Sequence, residues 1–133
     1  MKKLYNHKLC EKQLDLVILA GGKGSRIKQL LGNLPKPMLK FNNKHFLQYL
    51  INYCTKYHFK RIIILTRYKN EIIFRKFNKK KINLIDITCF KEKREMGTGG
   101  ALYNLTKLNV KDFILLNGDS IFNIDLNTLV NIT

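Results

Sequence analysis

The sequence predicts an α/β fold in which helices cover both faces of a Rossmann-like, mainly parallel sheet. Three observations support this fold class. Short apolar runs end at glycine or polar residues and have the length of strands that are buried on both faces. Segments whose apolar residues recur at helical spacing lie between those runs. Strands and helices that alternate in this way form βαβ units, and such units build parallel sheets.

The first half of the chain predicts two strands and two helices. Residues 16–19 are a continuous apolar run that ends at a glycine-rich turn, as a doubly buried strand does. Residues 44–57 place apolar side chains at helical spacing and predict the first long helix. Residues 61–66 contain three consecutive isoleucines and predict the second strand, and residues 70–80 predict the second helix.

The second half continues the alternation. Residues 82–90 alternate apolar and polar side chains and predict a third strand. After a polar link, a helix is predicted from Gly97 to residue 108, and residues 113–116 predict the fourth strand. Asp125 predicts the N-cap of a last helix. That helix has only about two turns before the sequence ends, which indicates a chain cut within a larger architecture.

Charge is the most pronounced feature of the composition. The 133 residues include 25 Lys and Arg against 9 Asp and Glu, a net charge of +16. Such a balance is typical of proteins that bind nucleic acid, membrane surfaces or phosphorylated substrates. Lysine is accompanied by asparagine and isoleucine, as at residues 79–83, which is the pattern expected from coding DNA rich in A and T. We therefore interpret most lysines as a solvated surface, with a basic RNA-binding domain as the alternative.

Cysteine usage and the amino-terminal residues favour a cytoplasmic protein. Cys10, Cys54 and Cys89 are odd in number and have no Cys-x-x-Cys spacing, so we expect free thiols in a reducing compartment. The residues after Met1 are mostly polar and contain no apolar core of a signal peptide. No apolar stretch approaches the roughly 20 residues of a membrane-spanning helix.

The turn after the first strand carries candidate chemistry. Ligands of open α/β sheets lie beyond the carboxyl ends of the strands, so the turns after the first and fourth strands are the expected places. Residues 19–26 read Leu-Ala-Gly-Gly-Lys-Gly-Ser-Arg, in which glycines let backbone N–H groups approach a phosphate while Lys23 and Arg26 add positive charge. Gly24 after Lys23 excludes a Walker loop, and Ile27 excludes a dinucleotide fingerprint. A tight structural turn is the alternative.

Three further segments are candidates. Pro35 and Pro37 restrict the backbone around Lys36 and predict a rigid extended segment that aims this lysine at a charged ligand; an ordinary surface loop is the alternative. Asp119 follows the fourth strand and could share Mg²⁺ with phosphate oxygens, or it belongs to a turn. Residues 96–101 begin a helix with small residues, against which a flat group could lie; a glycine-rich first turn capped by Thr98 is the alternative.

Together, these segments resemble the sugar-phosphate nucleotidyltransferase family. Its pattern combines Leu-Ala-Gly-Gly-x-Gly-Ser/Thr-Arg, Pro-Lys-Pro, a Leu-Gly-Thr-Gly or similar turn, and Gly-Asp. These motifs stand here at residues 19–26, 35–37, 96–99, where Met96 replaces the leucine, and 118–119. The resemblance extends to the heptose-1-phosphate and mannose-1-phosphate guanylyltransferases. It implies a truncated, GT-A-like nucleotidyltransferase domain over residues 15–133, with an extension at residues 1–14 and the C-terminal sugar-binding part absent.

The resemblance implies that a sugar-1-phosphate oxygen attacks the α-phosphate of a nucleoside triphosphate. The products would be pyrophosphate and a nucleotide sugar for surface polysaccharide synthesis. Arg26 would hold the triphosphate, Lys36 would bridge the α-phosphate and the sugar phosphate, and Asp119 would ligate Mg²⁺. The nucleotide would contact a further group of residues: Leu19, Ala20, Gly21, Gly22, Lys23, Gly24, Ser25, Glu92, Gly97 and Thr98.

The expected base of the nucleotide depends on Glu92. It occupies a position at which similar proteins place a Gln or Glu that reads the base. A carboxylate accepts hydrogen bonds from guanine N1–H and the 2-amino group together, whereas uracil presents it with one donor and one acceptor, so we expect GTP.

The departure from the family leaves three alternatives open. They are a truncated or decayed gene product, one half of a split enzyme that a second chain completes, and a nucleotide-binding remnant. Half a site should bind better than it catalyses, because only groups around the transition state accelerate the reaction. The expected partners are the two substrates and that second chain, rather than a membrane or nucleic acid.

Overall fold

The computed structural model describes residues 14–130, in which strands and helices alternate along most of the chain. The predicted extension at residues 1–14 lies outside the described residues, except for Leu14. In chain order the elements are β1 (Asp15–Leu19), α1 (Lys28–Leu31), β2 (Lys40–Phe41), β3 (Lys44–His45), α2 (Phe46–Cys54), β4 (Arg61–Thr66), α3 (Asn70–Phe77), β5 (Lys80–Ile82), β6 (Ile85–Lys91), α4 (Gly97–Tyr103), β7 (Phe113–Asn117) and α5 (Leu126–Val130).

The main sheet of the described residues has the strand order β5-β6-β4-β1-β7. β6, β4, β1 and β7 run parallel, and β5 pairs antiparallel with β6. This confirms the predicted, mainly parallel sheet. The order reverses at β1, because the chain proceeds to β4 and β6 on one side and returns to β7 on the other. In α/β sheets such a reversal creates a ligand crevice at the carboxyl ends of the flanking strands.

The apolar strands bury both of their faces. Side chains alternate between the faces of a strand, so Leu16 and Ile18 of β1 join one cluster while Val17 joins the other. The first cluster includes side chains of α2, α3 and α5, and the second includes Ala101 and Leu105 from α4 and the 3₁₀ turn after it. Helices therefore cover both faces, as the sequence predicts.

The helix predicted over residues 44–57 is shorter than expected. Its first two residues instead form β3, which pairs antiparallel with β2. Asn42 and Asn43 connect these strands with φ of 44° and 64°. Asparagine tolerates this left-handed conformation better than most residues do, so the pair permits a tight hairpin where helical spacing alone predicts a helix.

The strand predicted over residues 82–90 is wrong in one respect. A hairpin divides this segment into β5 and β6, and the turn lies at Asn83 and Leu84. Both turn residues have positive φ, 47° and 69°, and the Leu84 side chain is 89% exposed. Alternation predicts that Leu84 is a buried strand residue, but a type I′ turn requires two left-handed residues at this point.

The remaining predictions hold with small changes. The helix predicted from Gly97 to residue 108 divides into α4 and a 3₁₀ turn at Asn104–Leu108. Asp125 caps α5, since its Oδ1 accepts a hydrogen bond of 2.9 Å from the Asn127 N–H. Among residues 14–130, no helix is both long and apolar enough to cross a membrane.

Two of the three cysteines lie within the described residues. Cys54 and Cys89 are free and buried, and burial raises the pKa of each thiol to about 12. Such thiols are unreactive at neutral pH, because the thiolate is the reactive form. Cys10 lies outside the described residues.

Replacing Leu84 with glycine is expected to stabilise the protein by about 1 kcal/mol, since a left-handed L-residue costs roughly this much and Leu84 buries little surface. Leu84→Ala is the matched control, because it removes the side chain but keeps the strained conformation. Urea unfolding gives the free energy of unfolding of all three proteins. Equal stability of the two variants would contradict the described turn.

Candidate functional site

Backbone hydrogen bonds bring several turns together at the carboxyl edge of the sheet. The Gly118 N–H donates to the Leu19 carbonyl oxygen at 2.8 Å, and the Ala20 N–H donates to that of Leu65 at 2.8 Å. The Glu92 N–H donates to the carbonyl oxygen of Thr66, the last residue of β4, also at 2.8 Å. The segments after β1, β4, β6 and β7 therefore leave the sheet side by side, and their side chains share one edge.

Lys36 and Asp119 meet at this edge although 83 residues separate them. The Lys36 Nζ donates to the Asp119 Oδ2 at 2.6 Å, and the two side chains are 39% and 35% exposed. This lysine hydrogen bond is the main reason why the pKa of Asp119 is lowered; the Ser120 hydroxyl also donates to the carboxylate, while burial acts in the opposite direction. Asp119 is therefore an ionised acceptor for a cationic group.

The segment that carries Lys36 is a helical turn. Lys36–Met38 forms a 3₁₀ turn, so the predicted extended geometry of Lys36 is wrong. A proline in the first turn of a helix loses no hydrogen bond and already has a helical φ, which explains why Pro37 permits this conformation. Both Pro35 and Pro37 are buried and anchor the segment, while Lys36 is half-buried beside them. That Lys36 contacts a charged ligand stays a prediction.

Two glycines allow these pieces to approach each other. Gly24 has φ of 64°, and a Cβ there would lie 3.0 Å from the Lys36 Cβ and 2.6 Å from the Leu31 Cδ1. A Cβ on Gly118 would lie only 2.7 Å from the Leu19 carbonyl oxygen. The glycine-rich turn thus packs directly against Lys36, and the residue before Asp119 packs against β1.

A cavity of about 210 Å³ opens beside the glycine-rich turn. Six of the predicted nucleotide-binding residues line it: Leu19, Gly21, Gly22, Glu92, Gly97 and Thr98. Ala20 is buried beneath them. The volume is below the roughly 300 Å³ at which small-molecule pockets usually begin, so the cavity fits part of a nucleotide, such as its base.

Glu92 is a buried acid in this cavity. The residue is 9% exposed, and burial raises the pKa of its carboxyl above the ordinary value, with the charge of Arg67 acting in the opposite direction. A Cβ on Gly21 would lie 3.0 Å from the Glu92 Oε2, so the carboxyl group lies against the glycine-rich turn. An alanine at this position would require the flexible end of the Glu92 side chain to shift by a few tenths of an ångström.

Sequence reasoning missed two charged residues of the cavity. Arg67 and Glu95 both line it, and the Arg67 Nη2 donates to the Glu95 Oε1 at 2.9 Å. Arg67 directly follows β4. The rule that ligands lie beyond the carboxyl ends of strands applies to this position as well, but Arg67 belongs to no short motif that would single it out.

Other predicted residues lie apart from the cavity. Lys23, Ser25 and Arg26 are exposed, and the last two line a separate depression formed by residues 25–30. Within the described part of the chain, Arg26 forms no ion pair, so its role stays a prediction. The alternative that Thr98 caps a helix is wrong, because α4 begins at Gly97 and has no side-chain cap.

The carboxylates do not form a preassembled metal centre. Among residues 14–130, no group of three or more His, Cys, Asp and Glu side chains could hold a metal ion. Asp119 therefore offers a single carboxylate. Mg²⁺ is commonly held by one or two carboxylates together with substrate phosphates, so the arrangement fits an ion that arrives with a phosphorylated ligand.

Comparison with known sequences identifies the family. Residues 16–132 match the family described as Nucleotidyl transferase. A D-glycero-alpha-D-manno-heptose 1-phosphate guanylyltransferase of Campylobacter jejuni is 37% identical over 116 residues, which cover 87% of this chain and 52% of that protein. A mannose-1-phosphate guanylyltransferase of Mycobacterium tuberculosis is 32% identical over 120 residues, which cover 90% and 33% of the two chains.

Comparison of structures gives the same result. The crystal structure of HddC from Yersinia pseudotuberculosis complexed with GMP-PN has a TM-score of 0.77 and 35% sequence identity. The similarity covers 89% of this chain and 53% of that one. The present chain spans about half the length of the first relatives that it matches.

Gly118→Ala is expected to destabilise the protein by about 1–3 kcal/mol, because the added methyl group would overlap the Leu19 carbonyl oxygen, which cannot move freely. Gly99→Ala in α4 is the control, since a Cβ there meets nothing within 4 Å. That variant should gain up to about 1 kcal/mol from helix propensity. Thermal unfolding of both variants distinguishes crowding from a general effect of replacing glycine, and a Gly118→Ala protein as stable as the wild type would contradict the packing.

Glu92→Gln is expected to raise the melting temperature at pH 7 to 8 and to have little effect near pH 4. Burial raises the pKa of Glu92 in the folded protein above its ordinary value. Below the ordinary pKa the carboxyl is protonated and compatible with burial. As the pH rises through the folded-state pKa, the carboxyl becomes a buried charge and this contribution to stability is lost. Glutamine carries no such charge. Melting curves of both proteins across this range test the sign; a gain that grows towards low pH would contradict it.

Proposed function

The chain belongs to the nucleotidyl transferase family, and from that premise we propose that it binds a nucleoside triphosphate and transfers its nucleoside monophosphate to a sugar-1-phosphate. The products are pyrophosphate and a nucleotide sugar for surface polysaccharide synthesis. One observation carries this proposal: Lys36 and Asp119, far apart in sequence, meet at 2.6 Å beside a glycine-rich turn at the reversal of the sheet. This arrangement offers phosphate oxygens a cation, backbone N–H groups and a carboxylate that accepts a metal ion.

The proposed reaction needs positioning and charge neutralisation more than covalent chemistry. A sugar phosphate oxygen forms the new bond to the α-phosphorus, and the bond from that phosphorus to the pyrophosphate oxygen breaks. Lys36 lies between the two phosphates and holds the attacking oxygen in line. Arg26 and Lys23 hold the triphosphate and neutralise the departing pyrophosphate. Arg26 is exposed and unpaired within the described residues, so its side chain is free to reach a ligand.

Asp119 is the residue that holds Mg²⁺ in this proposal. The ion supplies charge neutralisation for the phosphates when it is bound. Support comes from the ionised state of Asp119 and from its position after β7, at the edge where the triphosphate lies. In the absence of ligands Lys36 neutralises this carboxylate, and release of the lysine makes both groups available.

We propose GTP as the nucleotide. Glu92 lies in the cavity beside the glycine-rich turn, together with Gly97 and Thr98. A carboxylate at this place suits the adjacent N1–H and 2-amino donors of guanine. The names of the relatives from Campylobacter jejuni and Mycobacterium tuberculosis, both guanylyltransferases, support the same base.

The sugar side of the site is proposed to come from further polypeptide. The Campylobacter jejuni relative is about twice as long as its matching region, and the family match uses residues 16–132 of this chain. β7 is an edge strand of the described sheet, and apolar side chains beside it are exposed, among them Phe122 at 64% and Leu129 at 42%. A strand edge of this kind pairs readily with another segment.

The free, buried thiols of Cys54 and Cys89 support the cytoplasm as the compartment.

Replacing Lys36 with methionine should weaken GTP binding about tenfold, because the lysine makes charge-assisted hydrogen bonds to phosphate. Isothermal titration calorimetry of the purified chain with GTP and Mg²⁺ measures the change. Lys111→Met is the matched control, since that exposed lysine precedes β7 and so lies at the amino ends of the strands, away from the site. Equal affinities of the two variants would contradict the proposed site.

The same two variants separate this function from RNA binding. If the basic surface binds RNA, affinity should fall steeply with salt and should not depend on Lys36 in particular. An assay of pyrophosphate release from GTP and a panel of sugar-1-phosphates then tests catalysis, first with the chain by itself and then with the second half of the Campylobacter relative added. Binding of RNA but of no triphosphate would replace the proposed function with the alternative.

A further inference from the structure

Glu92 presents a carboxyl group to the cavity. The residue is 9% exposed and lines the cavity. Within residues 14–130, its carboxyl oxygens have no protein hydrogen-bond partner, and they are not among the fully buried unpaired atoms, so they keep contact with solvent in the cavity. A base that enters the cavity displaces this water, so a ligand that donates two adjacent hydrogens would satisfy the group.

Arg67 faces the same space from the neighbouring strand end. It follows β4, its side chain is 22% exposed, and it lines the cavity with Glu92. Gly21 lies between the two residues, because a Cβ on this glycine would lie 3.0 Å from the Glu92 Oε2 and 3.4 Å from the Arg67 Cβ. A guanidinium and a carboxylate therefore flank one glycine of the turn.

The present partner of Arg67 is easily exchanged. Glu95, which accepts one hydrogen bond from Arg67 at 2.9 Å, is 66% exposed. Exposed ion pairs contribute little to stability, because water and salt screen them. A guanidinium has five N–H donors, so one bond to Glu95 leaves donors for a ligand.

We propose that Arg67 determines base specificity by donating a hydrogen bond to guanine O6 while Glu92 accepts from N1–H and the 2-amino group. The Watson–Crick edge of guanine presents an acceptor followed by two donors, and a guanidinium followed by a carboxylate is its complement. Adenine presents a donor and an acceptor in the reverse sense, and uracil has one donor between two acceptors. Each therefore places at least one like group against Arg67 or Glu92.

This inference rests on the proposed function and makes it more specific. It assigns a role to a residue that lies outside the glycine-rich, proline and Gly-Asp motifs. Such discrimination is strong in closed sites, because the wrong base leaves buried polar groups unpaired. The cavity of about 210 Å³ is open to solvent on one side and has room for a group of the size of a base.

The test compares the affinities of the full chain for GTP, ITP, ATP and UTP, each with Mg²⁺, by isothermal titration calorimetry. ITP keeps O6 and N1–H but lacks the 2-amino group. Arg67→Met should weaken GTP and ITP binding about tenfold and change ATP and UTP binding less than twofold. Arg67→Lys should restore part of the preference, because it keeps one cationic donor but loses the planar fork.

Three controls make the result specific. Arg94→Met removes an exposed arginine that lies in the loop after β6 and does not line the cavity, and it should leave all four affinities unchanged. Glu95→Gln removes the ion pair but keeps the guanidinium, so the preference for GTP should persist. Thermal unfolding of each variant shows whether it is folded, and the ratio of GTP to ATP affinity is independent of the folded fraction.

Four results would overturn the inference. If Arg67→Met lowers all four affinities equally, or if Glu95→Gln loses the preference as well, Arg67 only anchors the loop and does not read the base. If the wild-type chain binds GTP without preference over ATP, Arg67 has no selective role although the proposed function stands. Failure of the wild-type chain to bind any triphosphate would overturn the proposed function together with this inference.

Discussion

The hydrogen bonds at the carboxyl end of β1 are the constraint on which the site depends. The Leu19 carbonyl oxygen accepts from Gly118, and Ala20 donates to Leu65, so three strands end in register around one glycine-rich turn. Because the strand order reverses at β1, that turn has β4 on one side and β7 on the other. Arg67 and Asp119 take their positions from these strand ends, whereas Glu92 follows β6 and Lys36 lies on a 3₁₀ turn. The apolar clusters on both faces hold the strands, and the edge is left for polar groups.

Electrostatics divides this edge into two parts. Near β7, Lys36 and Asp119 form a partly exposed ion pair that suits phosphates and a metal ion. Near β4 and β6, the buried Glu92 and the guanidinium of Arg67 surround a space of the size of a base. The net charge of +16 does not predict either of these two groups of charges, because most lysines lie elsewhere on the surface. A few charges at fixed positions determine the ligand better than the net charge does, because their positions match the separate groups of a nucleotide.

Residues whose roles follow from local patterns could be predicted from the sequence. The buried runs in β1 and β4, the glycine-rich turn and the N-cap Asp125 are of this kind. The turn at Leu84 could not, since a leucine with positive φ contradicts its own preferences. The 3₁₀ turn at Lys36 was missed because proline fits both extended backbone and the first turn of a helix. Arg67 enters the site through strand pairing, which no short motif records.

The most direct test of the account is a map of amide chemical shifts in the ¹⁵N-labelled chain during titration with GTP and Mg²⁺. The account predicts that the largest changes occur at the carboxyl edge, at Gly21, Gly22 and Gly24 of the first turn and at Gly97 and Gly99 of α4. Glycine amides are suited to this measurement because they occupy a separate region of the spectrum. Changes that concentrate instead on the lysine-rich hairpin of β5 and β6, with the glycines unaffected, would contradict the account.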